Sequence, residues 1–182
     1  MKETQSIPTG GASQDDLYTD AADQFGSALE RVARAYEADP EKRRDLSQEI
    51  HFQLWRSFKR YDARCSTRTW VYRIAHNVAA SHVLRERRMF SSLVTLEDME
   101  LLPGKEQSQS EIDKHRDLAR LEGLIRRLKP LDREVILLYL EDMDAASIGT
   151  ITGLSSGNVA TKIHRIKNIL ARQFQEGGDH AE

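Results

Sequence analysis

The sequence predicts an all-α chain of two small helical domains joined by a flexible linker. Apolar residues recur at three- and four-residue spacing through two blocks of the 182-residue chain, the pattern of helices with one buried face. The four prolines, Pro8, Pro40, Pro103 and Pro130, fall at the edges of those runs and never inside them, as expected of a residue that breaks helix interiors. A stretch with Pro103-Gly104 and Gln107-Ser108-Gln109-Ser110 parts the two blocks, and Pro-Gly pairs of this kind mark loops.

The elements follow in order. Residues 1–21 are rich in Gly, Ser and Asp and read as a flexible tail. Phe25, Leu29, Val32 and Tyr36 define a first helix, and Asp39-Pro40 opens a second, since proline suits the first helical turn. The stripe of that second helix is Leu46, Ile50, Leu54 and Phe58, with Trp55 beside it. After a polar loop from Asp62 to Ser66, a third helix carries Trp70, Ile74 and Val78, flanked by Val71 and Ala75, and ends in Arg85-Glu86-Arg87-Arg88. The first domain is therefore residues 22–90 and the linker 91–115, acidic but dotted with Leu93, Val94, Leu96, Leu101 and Leu102. Composition predicts bundles that move independently about it. The second domain, 116–175, opens with Leu118, Leu121, Leu124, Ile125 and Leu128 on one face. Val135 to Leu140 has strand-like residues, yet no partner strand exists elsewhere, so helix is expected. Residues 176–182 form a short tail.

Charge sharpens this division. The formal net charge is −2, but residues 25–90 hold fourteen basic and eight acidic side chains, and residues 116–175 hold ten and seven. Acid is concentrated in the tails and linker. Two basic blocks separated by acid point to a polyanionic partner, bound in a salt-dependent way. No apolar run approaches the roughly 20 residues of a membrane span, and the start lacks a signal peptide's apolar stretch. The expectation is a cytoplasmic protein with no membrane insertion. One cysteine, Cys65, excludes an internal disulfide framework; it is a redox sensor or, on composition, a partly buried thiol.

Asp144 to Leu170 is the most informative stretch. Ala145 to Ile151 forms a short helix, Gly153 supplies a left-handed turn, and Ser155 is placed to cap the next helix. Val159, Ile163, Ile166 and Leu170 then make a buried stripe, leaving Ser156, Asn158, Thr161, Lys162, Arg165 and Lys167 outside. This is helix-turn-helix logic, with a second helix for the major groove. Asn158 and Arg165 suit base edges, while Lys162 and Lys167 suit phosphates. A plain helical hairpin with a solvated polar face is the other reading. In the first block, Phe58, Tyr61, Trp70 and Tyr72 interleave with Arg56, Lys59, Arg60, Arg64, Arg68 and Arg73. Aromatics with cations suit single-stranded nucleic acid, although Trp55, Phe58 and Trp70 also read as core.

These segments resemble bacterial RNA polymerase sigma factors of the sigma-70 family, in the extracytoplasmic-function group. The likeness covers about residues 22–90 and 116–172. DLSQEIHFQLWR resembles the polymerase-binding helix of region two, TWVYRIAHNVAASHVLRERR its promoter-melting helix, and LKPLDREVILLYLEDMDAASIGTITGLSSGNVATKIHRIK region four. The resemblance implies that Asp45, Gln48, Glu49, Leu54 and Trp55 bind core RNA polymerase. It implies that the loop from Asp62 to Thr67, with Arg64 and Ser66, captures a flipped base of the −10 element, and that Arg68 just beyond it also binds the −10 DNA. Along the helix that follows, Arg73, Asn77, Ser81, His82, Arg85, Arg87 and Arg88 would meet the same region of promoter DNA. The helix with Ser156, Asn158, Thr161, Lys162, Arg165 and Lys167 would read the −35 element. An anti-sigma factor is the further partner implied. Ser147-Ile148-Gly149 stands where the family has Glu-Ile-Ala; on propensity alone Gly149 costs about 1 kcal/mol and softens the support of the recognition helix.

No catalytic residue, metal, cofactor or small-molecule substrate is expected. The six histidines form no HExxH motif, and no Gly-rich loop follows a strand. His82 with Glu86, and Glu97 with Asp98 and Glu100, read as polar surface and not as metal ligands. The alternative function is a stand-alone helix-turn-helix regulator that binds duplex DNA as a dimer.

Overall fold

A computed structural model of the chain describes residues 13–93 and 109–176, with side chains for 13–86 and 116–175. The expected tails beyond these limits, the middle of the linker and the side chains of Arg87 and Arg88 lie outside the described residues. Within them all regular structure is helical: α1 (Gln14–Tyr36), α2 (Pro40–Phe58), α3 (Thr67–Leu93), α4 (Gln109–Arg127), α5 (Pro130–Leu140), α6 (Ala145–Thr152) and α7 (Ser156–Glu176). Val135 to Leu140 is helical, as expected from its lack of a partner strand.

The first helix starts earlier than its apolar stripe. Ser13 accepts from the Asp16 backbone N–H at 3.2 Å, and Asp16 accepts from that of Ser13 at 3.0 Å. This reciprocal capping box opens α1 at Gln14, so the expected tail of 1–21 ends in helix. The new turn is held down by α2, because Trp55 Nε1 donates to Asp15 at 2.7 Å and Gln14 Nε2 donates to the Trp55 carbonyl at 2.8 Å. Asp39 caps α2 by accepting from Glu41 and Lys42, with Pro40 in the first turn.

Helices α1, α2 and α3 pack pairwise into one bundle around Leu29, Val32, Leu46, Ile50, Leu54 and Val71. The α3 core stripe is Val71, Tyr72, Ala75 and Ala79, one step round from the expected Trp70, Ile74 and Val78. Both stripes are apolar at helical spacing, so periodicity alone could not choose between them. Helices α4 to α7 form the second bundle around Ile125, Val135, Leu138, Ile148, Val159 and Ile166.

The helix-turn-helix is built as its sequence dictates. Gly153 sits at φ 77° in the left-handed region, and the Asn158 N–H donates to Ser155 Oγ at 3.3 Å. Gly149 departs from expectation. A Cβ there would lie 2.5 Å from the Leu154 carbonyl oxygen, a backbone atom of the turn. The glycine allows α6 to pass close under that turn; it tightens the support that propensity says it softens.

The two bundles touch in this structure. Arg126 Nη1 donates to the Arg34 carbonyl at 3.2 Å, and the Arg133 guanidinium lies 5.1 Å from the centre of the Tyr36 ring. The deepest join is at the end of α5. There Asp142 takes a left-handed φ of 54°, its N–H reaching the Tyr139 carbonyl at 3.0 Å while the Met143 N–H reaches that of Leu138 at 3.2 Å, a Schellman termination. Glu141, just before that turn, faces the first bundle. Its carboxylate accepts from Arg31 Nε at 2.6 Å, Arg31 Nη2 at 2.7 Å and Tyr72 OH at 3.0 Å. Burial alone raises the Glu141 carboxyl, but the Arg31 and Tyr72 hydrogen bonds outweigh it and hold the group below its ordinary range.

Burial also shifts His76 and the half-buried Glu134. Burial pushes the fully covered His76, whose Nδ1 meets Tyr36 OH at 3.2 Å, down to about 4. It pushes Glu134 up to about 7.

Gly149→Ala should destabilise the protein by up to about 2 kcal/mol in a denaturant melt, since overpacking against a backbone carbonyl costs about 1–3 kcal/mol and the helix-propensity gain returns about 1 kcal/mol. A stabilised variant would show that the turn yields freely. Glu134 has a folded pKa above its unfolded value, so its contribution is complete below the unfolded value and is lost as pH rises through about 7. Glu134→Gln should therefore gain stability relative to wild type as pH rises from about 4.5 to about 7, then hold a constant difference. Parallel melting curves across that window would contradict this.

Candidate nucleic-acid interface

The stripe of α3 that is not in the core faces a groove. Trp70, Ile74, Asn77 and Val78 form one wall, with Gln53, Arg56, Ser57, Lys59 and Arg60 from the end of α2 opposite, around about 650 Å³. Trp70 Nε1 donates to Ser57 Oγ at 2.8 Å, and the Tyr61 ring lies 5.4 Å from that of Trp70. The indole is thus fixed by a hydrogen bond and a neighbouring ring while still lining open space. An aromatic wall rimmed by the exposed cations Arg56, Lys59 and Arg60 suits the unstacked bases and phosphates of a single strand. Phe58, by contrast, is core.

The expected −10 residues divide into two sets. Asn77, Ser81 and Arg85 recur every four residues on α3 and are exposed, continuing the groove wall along the helix. Asp62, Arg64, Ser66 and Thr67 precede or open α3. Arg64 Nε pairs with Asp62 at 2.9 Å on the surface. Ser66 Oγ accepts from the Thr69 N–H at 3.1 Å and so caps the helix, while Thr67 Oγ1 lies 3.3 Å from Tyr61 OH. Ala63, at φ 58°, sets the sharp turn of this loop.

The other set faces elsewhere. Arg68 precedes Asn77 by nine residues, half a turn out of phase at 100° per residue. It lies beside Tyr72 and donates to the Glu141 carbonyl, so in this arrangement it joins the bundles and is not on the groove face. Arg73 Nη2 donates to the Thr150 carbonyl at 3.1 Å. His82 Nε2 lies 2.9 Å from Glu37, and Glu86 pairs with Lys42. Among the described residues no cluster of three or more His, Cys, Asp or Glu is arranged to hold a metal ion.

On α2 the outward face carries Asp45, Gln48, Glu49 and Trp55. Leu54 is 0 % exposed and cannot touch a partner; its place in the Leu46-Ile50-Leu54-Phe58 stripe puts it in the core. Phe52, in contrast, lies on the outward face beside Trp55. It is 50 % exposed and stacks on Trp55 with ring centres 6.3 Å apart. Its signal in the sequence is an aromatic lying off the buried stripe, three residues from Trp55 and four from Gln48.

The recognition helix α7 buries Val159, Ile166 and Leu170 and exposes Ser156, Asn158, Thr161, Arg165 and Lys167. His164 and Asn168 are exposed as well, with Asn168 Nδ2 3.4 Å from His164 Nδ1. They lie near the middle of the outward face and belong with the candidate readers. Lys167 sits 5.4 Å from the centre of the Tyr139 ring. Lys162 is turned inward: its Nζ donates to Asp132 at 2.6 Å, and Arg165 Nη2 donates to the other oxygen at 2.8 Å.

A groove with an indole wall and a cationic rim on one bundle, and a helix-turn-helix on the other, make a two-domain helical protein with two surfaces suited to nucleic acid. Residues 22–89 match the family Sigma-70 region 2, and residues 118–170 match Sigma-70, region 4. The chain belongs to the sigma-70 family, in its extracytoplasmic-function group. It is 27 % identical over 177 residues to the ECF RNA polymerase sigma factor SigC of Mycobacterium tuberculosis, covering 89 % of this chain and 94 % of the relative. It is 22 % identical to SigW of Bacillus subtilis, covering 88 % and 90 %. The fold is similar to that of the sigma factor RpoE of Bartonella quintana, solved with the anti-sigma factor NepR, at TM-score 0.68 and 18 % identity over 90 % of this chain and 98 % of that one. CnrH, solved with the cytosolic domain of CnrY, superposes at TM-score 0.63 with 19 % identity and 91 % of each chain covered.

Replacing Glu141 with Ala should loosen the join between bundles, because Arg31 and Tyr72 lose their common acceptor. Solution X-ray scattering should give a larger radius of gyration for Glu141→Ala than for wild type, and Arg31→Ala should move it the same way. Unchanged scattering for both would show that the remaining contacts suffice.

Proposed function

We propose that this protein binds core RNA polymerase and directs it to promoters, with the α2–α3 groove taking the melted −10 strand and α7 reading the −35 duplex. The observation that carries this is the groove itself: a fixed indole beside three exposed cations, on the bundle that matches region 2. Asn77, Ser81 and Arg85 extend that site along α3, and Asp62, Arg64, Ser66 and Thr67 supply the loop and first turn that lead into it. Arg56, Lys59, Arg60 and Trp70 join it on the geometry. Asp45, Gln48, Glu49, Phe52 and Trp55 form the polymerase-binding face. On α7 the readers are Ser156, Asn158, Thr161, His164, Arg165 and Asn168.

The contact between bundles fits a controlled factor. The −10 and −35 elements lie about 25 base pairs apart, roughly 85 Å of duplex at 3.4 Å per step. A compact chain of this length has a radius of gyration of about 16 Å, too small to hold both elements at once. Promoter binding therefore requires the bundles to part, freeing Arg68 and Arg73 from the α5 end and α6 for phosphate. An anti-sigma factor would act on this cytoplasmic protein by stabilising the joined form. No catalytic step is assigned to the chain, and among the described residues no helix is long and apolar enough to cross a membrane.

In vitro transcription with core polymerase and a promoter library tests this. Wild-type protein should produce defined start sites, Trp70→Ala should cut open-complex formation by at least tenfold, and Phe52→Ala should weaken polymerase binding without altering start-site choice. Absence of added start sites with the wild-type protein would reject the proposal.

A further inference from the structure

Asp132 lies where a DNA-reading surface has no obvious use for an acid. It occupies the first turn of α5 and is buried, and its two oxygens accept separately from Lys162 and Arg165 on α7. It is the one acid lining a groove of about 340 Å³ between the start of α5, the end of α4 and α7, where Arg127, Lys129 and Arg165 also lie. With Lys162 the region holds four cations, of which Lys162 and Arg165 bond the carboxylate. A helix N-terminus favours an acid, but that preference alone does not need a buried carboxylate bridging two cations of another helix.

The two cations are held differently. The Lys162 side chain is 25 % exposed, its ammonium turned to Asp132, whereas Arg165 is 57 % exposed. A guanidinium has five donors in a rigid fork, so Arg165 can give one Nη to Asp132 and keep another edge for the duplex. A long basic side chain carries about 2 kcal/mol of rotamer entropy, and fixing it beforehand lowers the cost of docking it on a base. The carboxylate also cancels one positive charge beside the phosphates.

Resting on the proposed role of α7 as the duplex reader, we infer that Asp132 is a positioning residue for specificity. By holding Arg165 in one orientation and withdrawing Lys162 from the phosphates, it trades charge-driven affinity for sequence discrimination. Readout then falls on Arg165 with Thr161, His164 and Asn168, while Arg127 and Lys129 at the groove edge supply phosphate contacts.

The test uses the full chain with two labelled duplexes, one selected by the wild-type protein from a random pool and one of random sequence, titrated across a salt series. Asp132→Asn, nearly the same size, should bind the random duplex several-fold more tightly at low salt. Its log–log salt slope should steepen by about 0.9, the increment for one more phosphate contact, and its preference for the selected duplex should fall about tenfold. Asp132→Glu should restore the wild-type slope. Lys162→Met should leave the slope unchanged in the wild-type background and reduce it beside Asp132→Asn, and it serves by itself if the Asp132 variants do not fold. An unchanged slope or preference in folded Asp132→Asn, or a slope already reduced by Lys162→Met alone, overturns the inference. If Arg165→Ala also binds both duplexes like wild type, the role of α7 as reader fails with it; if Arg165→Ala loses preference while Asp132→Asn does not, only the role of Asp132 fails.

Discussion

Glu141 receives two hydrogen bonds from one guanidinium and a third from a tyrosine, all from the opposite bundle. The left-handed Asp142 that ends α5 makes this possible, because it turns the chain while Glu141 faces the first bundle with both carboxylate and carbonyl. Each bundle alone is small, and a small helical unit buries a modest share of its surface. The join lets the two share a boundary. It does so with groups that the proposed DNA-bound state would also use, since Arg68 and Arg73 reach carbonyls of the second bundle from the helix that also walls the groove. In that proposal, compactness and access to nucleic acid draw on the same cations.

The same logic recurs inside the second bundle. Lys162 and Arg165 project from the recognition helix, yet both end on Asp132. A basic count along a helix therefore overstates the charge available to a duplex. What α7 exposes is a mixed surface of hydroxyl, imidazole and amide groups with the Lys167 ammonium and the outer edge of Arg165, suited as much to distinguishing bases as to gripping phosphates. The first bundle is the reverse: Arg56, Lys59 and Arg60 are exposed on the groove rim, where a flexible single strand gains most from charge and stacking.

Much of this was legible in the chain. The Gly153 turn, the Ser155 cap and the Val159-Ile166-Leu170 stripe fix the helix-turn-helix by local rules. The division into two helical domains follows from apolar periodicity and proline placement. Leu54 shows where family likeness and pattern diverge: its stripe position marked it as core, and the structure puts it there. Phe52 was legible too, as an aromatic off the stripe. The choice between the two apolar faces of α3 was not, because Trp70 and Val71 differ by one residue and each heads a plausible buried row.

The sequence by itself determined the helices, the caps and turns that bound them, and the kinds of residue presented to nucleic acid. Those depend on neighbours within four or five positions, where spacing and backbone preference are decisive. Only the tertiary structure decided which α3 face is core, why Gly149 admits no side chain, and which cations are free. Arg31 and Glu141 are 110 residues apart, Arg68 and Glu141 73, Lys162 and Asp132 30. A pairing across such distances depends on how bundles and helices pack, and nothing in the local chain encodes whether a given arginine will meet a phosphate or a carboxylate of its own protein.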